Sequence, residues 1–148
     1  MRITRIVRKG RIYALVIQRI PSKDGIRFFT PDEFSQQVAY MARPKNYEIP
    51  AHRHNFYPRK ILWTSEVLII KSGRVKVTFY DEKKIAFRSV LLKKSDIILL
   101  VQGAHGFKML ARTEMIEVKQ GPYAQNKDKT LLFPSALPTL RGPRSVRR

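Results

Sequence analysis

Apolar residues along this chain come in short bursts separated by polar punctuation. "RIYALVIQRI", "QQVAYMA", "EIPAHRH", "EVLIIKSG", "RVKVTFYD", "IAFRSVLLKKSD", "IILLVQG", "HGFKML" and "EMIEVKQG" follow one another from residue 11 to residue 121. Each alternates or runs apolar with β-branched members, and each ends at Gly, Ser-Asp, Asp-Glu or Pro, which is how short strands and their turns read. "KSGR" and "YDEKK" are expected to be hairpin turns. One segment departs from the period of two. "TPDEF" predicts a single short helix near residues 31–35, with Thr30 as N-cap, Pro31 at the first helical position and Asp32 and Glu33 in the first turn. The charged N-terminal stretch carries too short an apolar run for an export signal and reads as a first strand. About nine short strands, with turns every eight to twelve residues or so, predict an all-β sandwich or barrel with antiparallel pairing.

Length and composition narrow this further. A chain of 148 residues with 43% hydrophobic residues can bury one core, so residues 1–133 are expected to form a single domain. The stretch 134–148, with its prolines, arginines and no acidic residue, reads as a basic tail. No apolar run approaches the roughly 20 residues that cross a bilayer as a helix. The chain has no cysteine, so disulfides and thiolate metal sites are excluded, and a cytoplasmic location is expected. Net charge is the outlier, with 30 Lys and Arg against 11 Asp and Glu, or +19. Such a field attracts anions. The cations are scattered along the chain as "RPK", "PRK", "KSGRVK", "EKK" and "LKK". Scatter of this kind reads as a solvated basic surface in preference to a nucleic-acid site, where cations cluster and aromatics interleave.

Chemistry concentrates in the three histidines. In "PAHRHNF" a strand would point His52 and His54 to one face and Arg53 to the other. Glu66 heads the next apolar run, and a neighbouring strand would bring its carboxylate beside the imidazoles. His105 follows much later, between Gly103 and Gly106.

His-x-His, then Glu66, six residues and Gly73 resemble the first motif of the cupin superfamily, and "SDIILLVQGAH" resembles the second, with Ser95-Asp96 where Gly-Asp is usual. The resemblance runs over residues 35–120 and implies a double-stranded β-helix, or jelly-roll barrel. It further implies a divalent transition metal (Fe, Mn, Ni, Co or Zn) held inside by His52, His54, Glu66 and His105. Two departures stand out. Eleven residues separate His54 from Glu66, and the second motif lacks its proline. "TSEVLIIKSGRVKVTFYD" and "MIEVKQGPY" look more narrowly like small bacterial cupins found among surface-polysaccharide genes. Cupin barrels commonly pair through edge strands, so the resemblance also implies a homodimer, with "RIYALVIQRI" as the candidate pairing edge.

Around such a centre, Lys119, Gln120 and Tyr123 are candidate substrate contacts at a barrel rim, with a strand end and turn as the plainer reading. Arg59 and Lys60 offer an anion clamp or a solvated loop. Gln37 and Tyr40 are candidates to line the cavity, at most one of them pointing inward, and Trp63 and Phe56 to wall it. Phe107 and Met109 would fill the barrel beside His105. Tyr123 and Glu117 are the candidates for acid–base work. The leading expectation is a metal-dependent cupin acting on a small polar or anionic metabolite such as a carbohydrate derivative. The alternatives are a non-catalytic ligand-holding barrel and, behind it, a basic nucleic-acid-binding protein. No phosphate-binding Gly-Lys-Ser loop or Gly-x-Ser-x-Gly elbow is present.

Overall fold

The computed structural model describes residues 1–122 and 128–133 and contains ten strands and no helix among them. They are β1 Arg2–Arg8, β2 Arg11–Gln18, β3 Gly25–Phe28, β4 Ala39–Ala42, β5 Glu66–Ser72, β6 Arg74–Tyr80, β7 Ala86–Lys93, β8 Ile97–Leu100, β9 Ala104–Met109 and β10 Glu114–Lys119. They form a five-stranded sheet in the order β1-β2-β8-β5-β10, a three-stranded sheet β7-β6-β9 and the hairpin β3-β4. All pairings are antiparallel, and none of the sheets closes on itself. The architecture is all-β and consistent with a β-sandwich.

Alternation explains which face each strand buries. Ala14, Val16, Leu68, Ile70, Ile98 and Leu100 of the larger sheet meet Val75, Val77, Phe79 and Leu92 of the smaller one in one apolar cluster. The residues between them in sequence, Leu15, Val67 and Leu99, form a second cluster on the outer face of the larger sheet, covered by Phe34 and Val38. The central run of β2 is therefore buried on both faces, which is why it reads as continuously apolar and not alternating. Each of these large side chains, taken out of water, contributes roughly 1.5–3 kcal/mol.

Several sequence expectations are corrected here. The predicted helix at 31–35 is a single turn, closed by the Phe34 N–H donating to the Pro31 carbonyl at 3.2 Å. Thr30 does not cap a helix. Its hydroxyl donates to Gln37 Oε1 at 2.6 Å and accepts from the Val38 N–H at 3.2 Å, pinning the two ends of a loop. "KSGR" is a turn but not a hairpin, because β5 and β6 lie in different sheets and do not pair. The chain crosses the sandwich at Gly73. "YDEKK" does join a true hairpin, β6–β7. The first strand is two strands folded back at Lys9–Gly10. As a result "RIYALVIQRI" cannot be a pairing edge, since β2 has β1 on one side and β8 on the other.

Few carboxylates are present, and the fold uses them locally. Asp81 accepts from Arg8 Nη2 at 2.6 Å and from the backbone N–H groups of Lys83 and Ile85 at 3.0 and 2.9 Å. The Ile85 N–H, with Arg8 and Lys83, holds its carboxyl below the usual range against the opposing effect of burial. Glu82 lies 3.8 Å from Lys9 and 3.7 Å from Arg11. Asp96 accepts from Gln18 Nε2 at 2.7 Å and from the Lys93 N–H at 2.9 Å, fixing the turn before β8. Ser95 in that turn has φ of 71°, a left-handed conformation that glycine adopts without steric cost.

Candidate functional site

Directly opposite residues on paired strands share a face. Glu66 lies opposite Leu100 and on the same side as Leu68 and Ile70, so it belongs to the inward face of the larger sheet. In β9, His105 lies opposite Phe79 and Phe107 opposite Val77, which places both on the inward face of the smaller sheet. Between these inward faces His105 Nε2 lies 3.3 Å from Glu66 Oε2, with both side chains less than a quarter exposed. An acid and an imidazole drawn from different sheets thus face each other beside the apolar cluster between the sheets.

β10 supplies the surroundings. Lys119 is opposite Glu66 and Glu117 opposite Leu68, so both share this inward face, with Lys119 Nζ 3.6 Å from Glu117 Oε1. Gln120 follows and accepts the Ser65 N–H at 2.7 Å, while the Ser65 hydroxyl donates to the Val101 carbonyl at 3.2 Å. These bonds fix the residue before Glu66, so the carboxylate leaves a rigid strand start. The hydrogen bond from His105 holds the Glu66 carboxyl below its ordinary 4.5. Burial opposes that shift, while the positive charges of His105, Lys119 and Lys129 reinforce it. Ser65 and Lys129 carry no signal in the sequence, because each reaches the site through the fold alone.

A depressed carboxyl pKa contributes stability that is present above the unfolded value of 4.5 and is lost as pH falls through the lower folded value. Glu66→Gln, kept metal-free with a chelator, is therefore expected to be less stable than the parent near neutrality, and the difference is expected to close in acid. Urea midpoints of both proteins across the acid range check this. A difference that stays constant with pH would show that the carboxylate is not held by this pairing.

The other expected site residues lie apart from the pair. Residues 43–65 contain no strand, so His52 and His54 are not set by a pleat. The segment carries Pro44, Pro50 and Pro58, each lacking a donor for a ladder. Both histidines are exposed. Their rings stack edge-on with centroids 5.4 Å apart, and His52 Nδ1 lies 2.9 Å from the Pro50 carbonyl oxygen. Lys60 is exposed on the same segment, and Arg59 donates to the Tyr57 carbonyl at 3.3 Å. Phe56 and Trp63 are 95% and 65% exposed, so they wall no cavity here. Gln37 donates to the carbonyls of Pro31, Asp32 and Phe34 and serves its own loop. Tyr40 lines a different cavity of about 240 Å³, with Ile20, Arg27 and Phe29. Tyr123 and the tail 134–148 lie outside the described residues.

Imidazole and carboxylate suit a borderline divalent ion. The four expected donors stand as two separate pairs, Glu66 with His105 and His52 with His54, and among the described residues no group of three or more His, Asp or Glu side chains is placed to hold a metal. The donor chemistry fits a metal. Comparison of the chain with protein-family models, with curated proteins and with solved structures finds no match.

Proposed function

We propose that the chain is a cupin-type, metal-dependent protein that takes a small polar or anionic metabolite, such as a carbohydrate derivative, between its two sheets. The observation that carries this reading is the Glu66–His105 contact, an acid and an imidazole 3.3 Å apart from two different sheets in an apolar interior. The order of connections supports it. From β5 to β10 the chain changes sheet at every connection except the β6–β7 hairpin, the alternation that winds a jelly roll. β9 and β10 are the edge strands of their sheets, and beside them Phe107 and Met109 are left 38% and 49% exposed on an inward face.

In this reading His52 and His54 join Glu66 and His105 when residues 43–65 fold over that open edge. The segment leads straight into β5 and exposes Phe56, Tyr57, Leu62 and Trp63, apolar surface that such docking would cover. Metal binding then contributes the ordering energy, as it does where ligands are brought together by folding. A bound divalent ion would supply polarisation of a carbonyl or acidification of a water. The chain's own groups do the rest. Lys119 attracts an anionic metabolite, and Glu117, on the same inward face, is the candidate to move a proton.

Trp63 is the chain's one tryptophan and lies in the segment that must move, so its fluorescence tests the reading directly. Protein purified without a metal-affinity tag is expected to bind a divalent transition metal stoichiometrically by elemental analysis. A blue shift of Trp63 emission should accompany binding and reverse with chelator. His52→Ala and Glu66→Ala are each expected to lose both signals. Metal binding that leaves Trp63 unchanged, or that survives either substitution, would overturn the assignment.

A further inference from the structure

The outward face of the β7-β6-β9 sheet gathers cations that are dispersed in the sequence. Register places Lys93 beside Arg74, and Lys76 between Leu91 and Lys108, in two adjacent rows. The next row is Ser89, Thr78 and Gly106, with the two hydroxyls 3.0 Å apart and no side chain on the third strand. Strand spacing and rise put the four cations within a patch of about 7 by 10 Å. All four are exposed, none forms an ion pair among the described residues, and none of the residues in these rows is acidic. Like charges set directly opposite one another destabilise a sheet. Here the opposite face, Val75, Val77, Phe79 and Leu92, is packed in the core and holds the strands in place regardless.

We propose that this face binds the phosphate backbone of double-stranded nucleic acid without reading its bases. Density of charge selects the partner. A duplex carries one negative charge per roughly 1.7 Å of axis, enough to neutralise four cations in so small a patch, and their counterions are released on contact. The three rows carry no aromatic side chain of their own, and the one ring that borders them, Tyr80 over Gly106, is half-buried and set edge-on against Phe133, so the cations lack the interleaved stacking platform that single strands use. Thr78 and Ser89 add hydroxyl donors for phosphate oxygens on the same plane. The site is separate from the Glu66–His105 pair, which lies between the two sheets, with His105 on the inward side of this one.

Fluorescence anisotropy with a labelled, mixed-sequence duplex of about 20 base pairs, titrated with salt, tests this. Lys76→Gln/Lys108→Gln is expected to weaken binding by about tenfold or more at low salt and to flatten the slope of log affinity against log salt by about 2. Lys23→Gln/Lys45→Gln removes the same charge from exposed sites off this face and is expected to change affinity by less than about twofold. Circular dichroism of both variants is expected to match the parent, because all four positions are exposed. Equal losses in the two variants would overturn the proposal in favour of a diffuse positive field. Displacement of the duplex by heparin at a lower equivalent charge would overturn it in favour of a sulfated polysaccharide.

Discussion

Gly73→Ala is expected to lower unfolding free energy by about 2–5 kcal/mol, a large part of the roughly 5–15 kcal/mol typical of a domain. Two causes add. Gly73 has φ of 79°, where a side chain costs about 1–2 kcal/mol. A Cβ there would also run into the Arg112 carbonyl oxygen and come within 2.6 Å of Thr113 Oγ1. The first obstacle is backbone and cannot swing aside, so overpacking of about 1–3 kcal/mol follows. The site is crowded because two crossings between sheets meet there. The β5–β6 corner lies against the loop leading into β10, tied by the Arg74 N–H donating to Thr113 Oγ1 at 3.2 Å and by the Thr113 hydroxyl donating to the Arg74 carbonyl at 3.0 Å. Gly10→Ala provides the contrast. Its φ of 72° carries the same conformational cost, but open space surrounds it, so a loss of only about 1–2 kcal/mol is expected. Urea unfolding followed by circular dichroism separates them, and equal losses in the two variants would show that the corner is not closely packed.

Phe79→Ala is expected to cost about 3–5 kcal/mol, the range for deleting a buried phenyl ring. The side chain is 1% exposed and among the largest of the fully buried ones, and its ring centroid lies 6.4 Å from that of Phe87. It also sits directly opposite His105, so the void would open beside the site. Phe79→Leu refills most of the space and should cost less than half as much. If metal binding depends on His105 being held in place, Phe79→Ala should weaken it more than Phe79→Leu does. Calorimetric titration of both variants, alongside urea midpoints, measures the two effects together. A loss under about 1 kcal/mol in Phe79→Ala would mean the two sheets do not close on this ring.

Much of the strand content was legible because alternation at a period of two is a local signal. β6 buries every second residue, Val75, Val77 and Phe79, while β5 buries Val67 and Leu68 in succession and β10 buries none fully, so alternation of residue type marks these strands more evenly than burial does. β3 carries no such signal, because "GIRF" is short and mostly exposed. The helix signal at Thr30–Phe34 was equally local and misled. Capping residues assist a helix, but three or four residues cannot repay the cost of nucleating one, and Thr30 found a better partner in Gln37. The resemblance groups Glu66 and His105 with His52 and His54 as ligands of one metal, whereas the structure sets Glu66 beside His105 and leaves His52 with His54 apart from them. "AHRH" alternates like a strand, yet a strand needs a neighbour to pair with, and the three prolines around it limit what it can offer one.

Local order in the polypeptide by itself determined that this protein is built of short antiparallel strands and carries a large positive charge, since side-chain alternation and charge are properties of neighbours. Only the tertiary structure decided which strands share a sheet. That choice set Glu66 against His105 across the sandwich, turned the corner at Gly73 and collected Arg74, Lys76, Lys93 and Lys108 on one face. Register between strands far apart in the chain is decided by burial of the shared core, so no inspection of spacing along the chain could have revealed it.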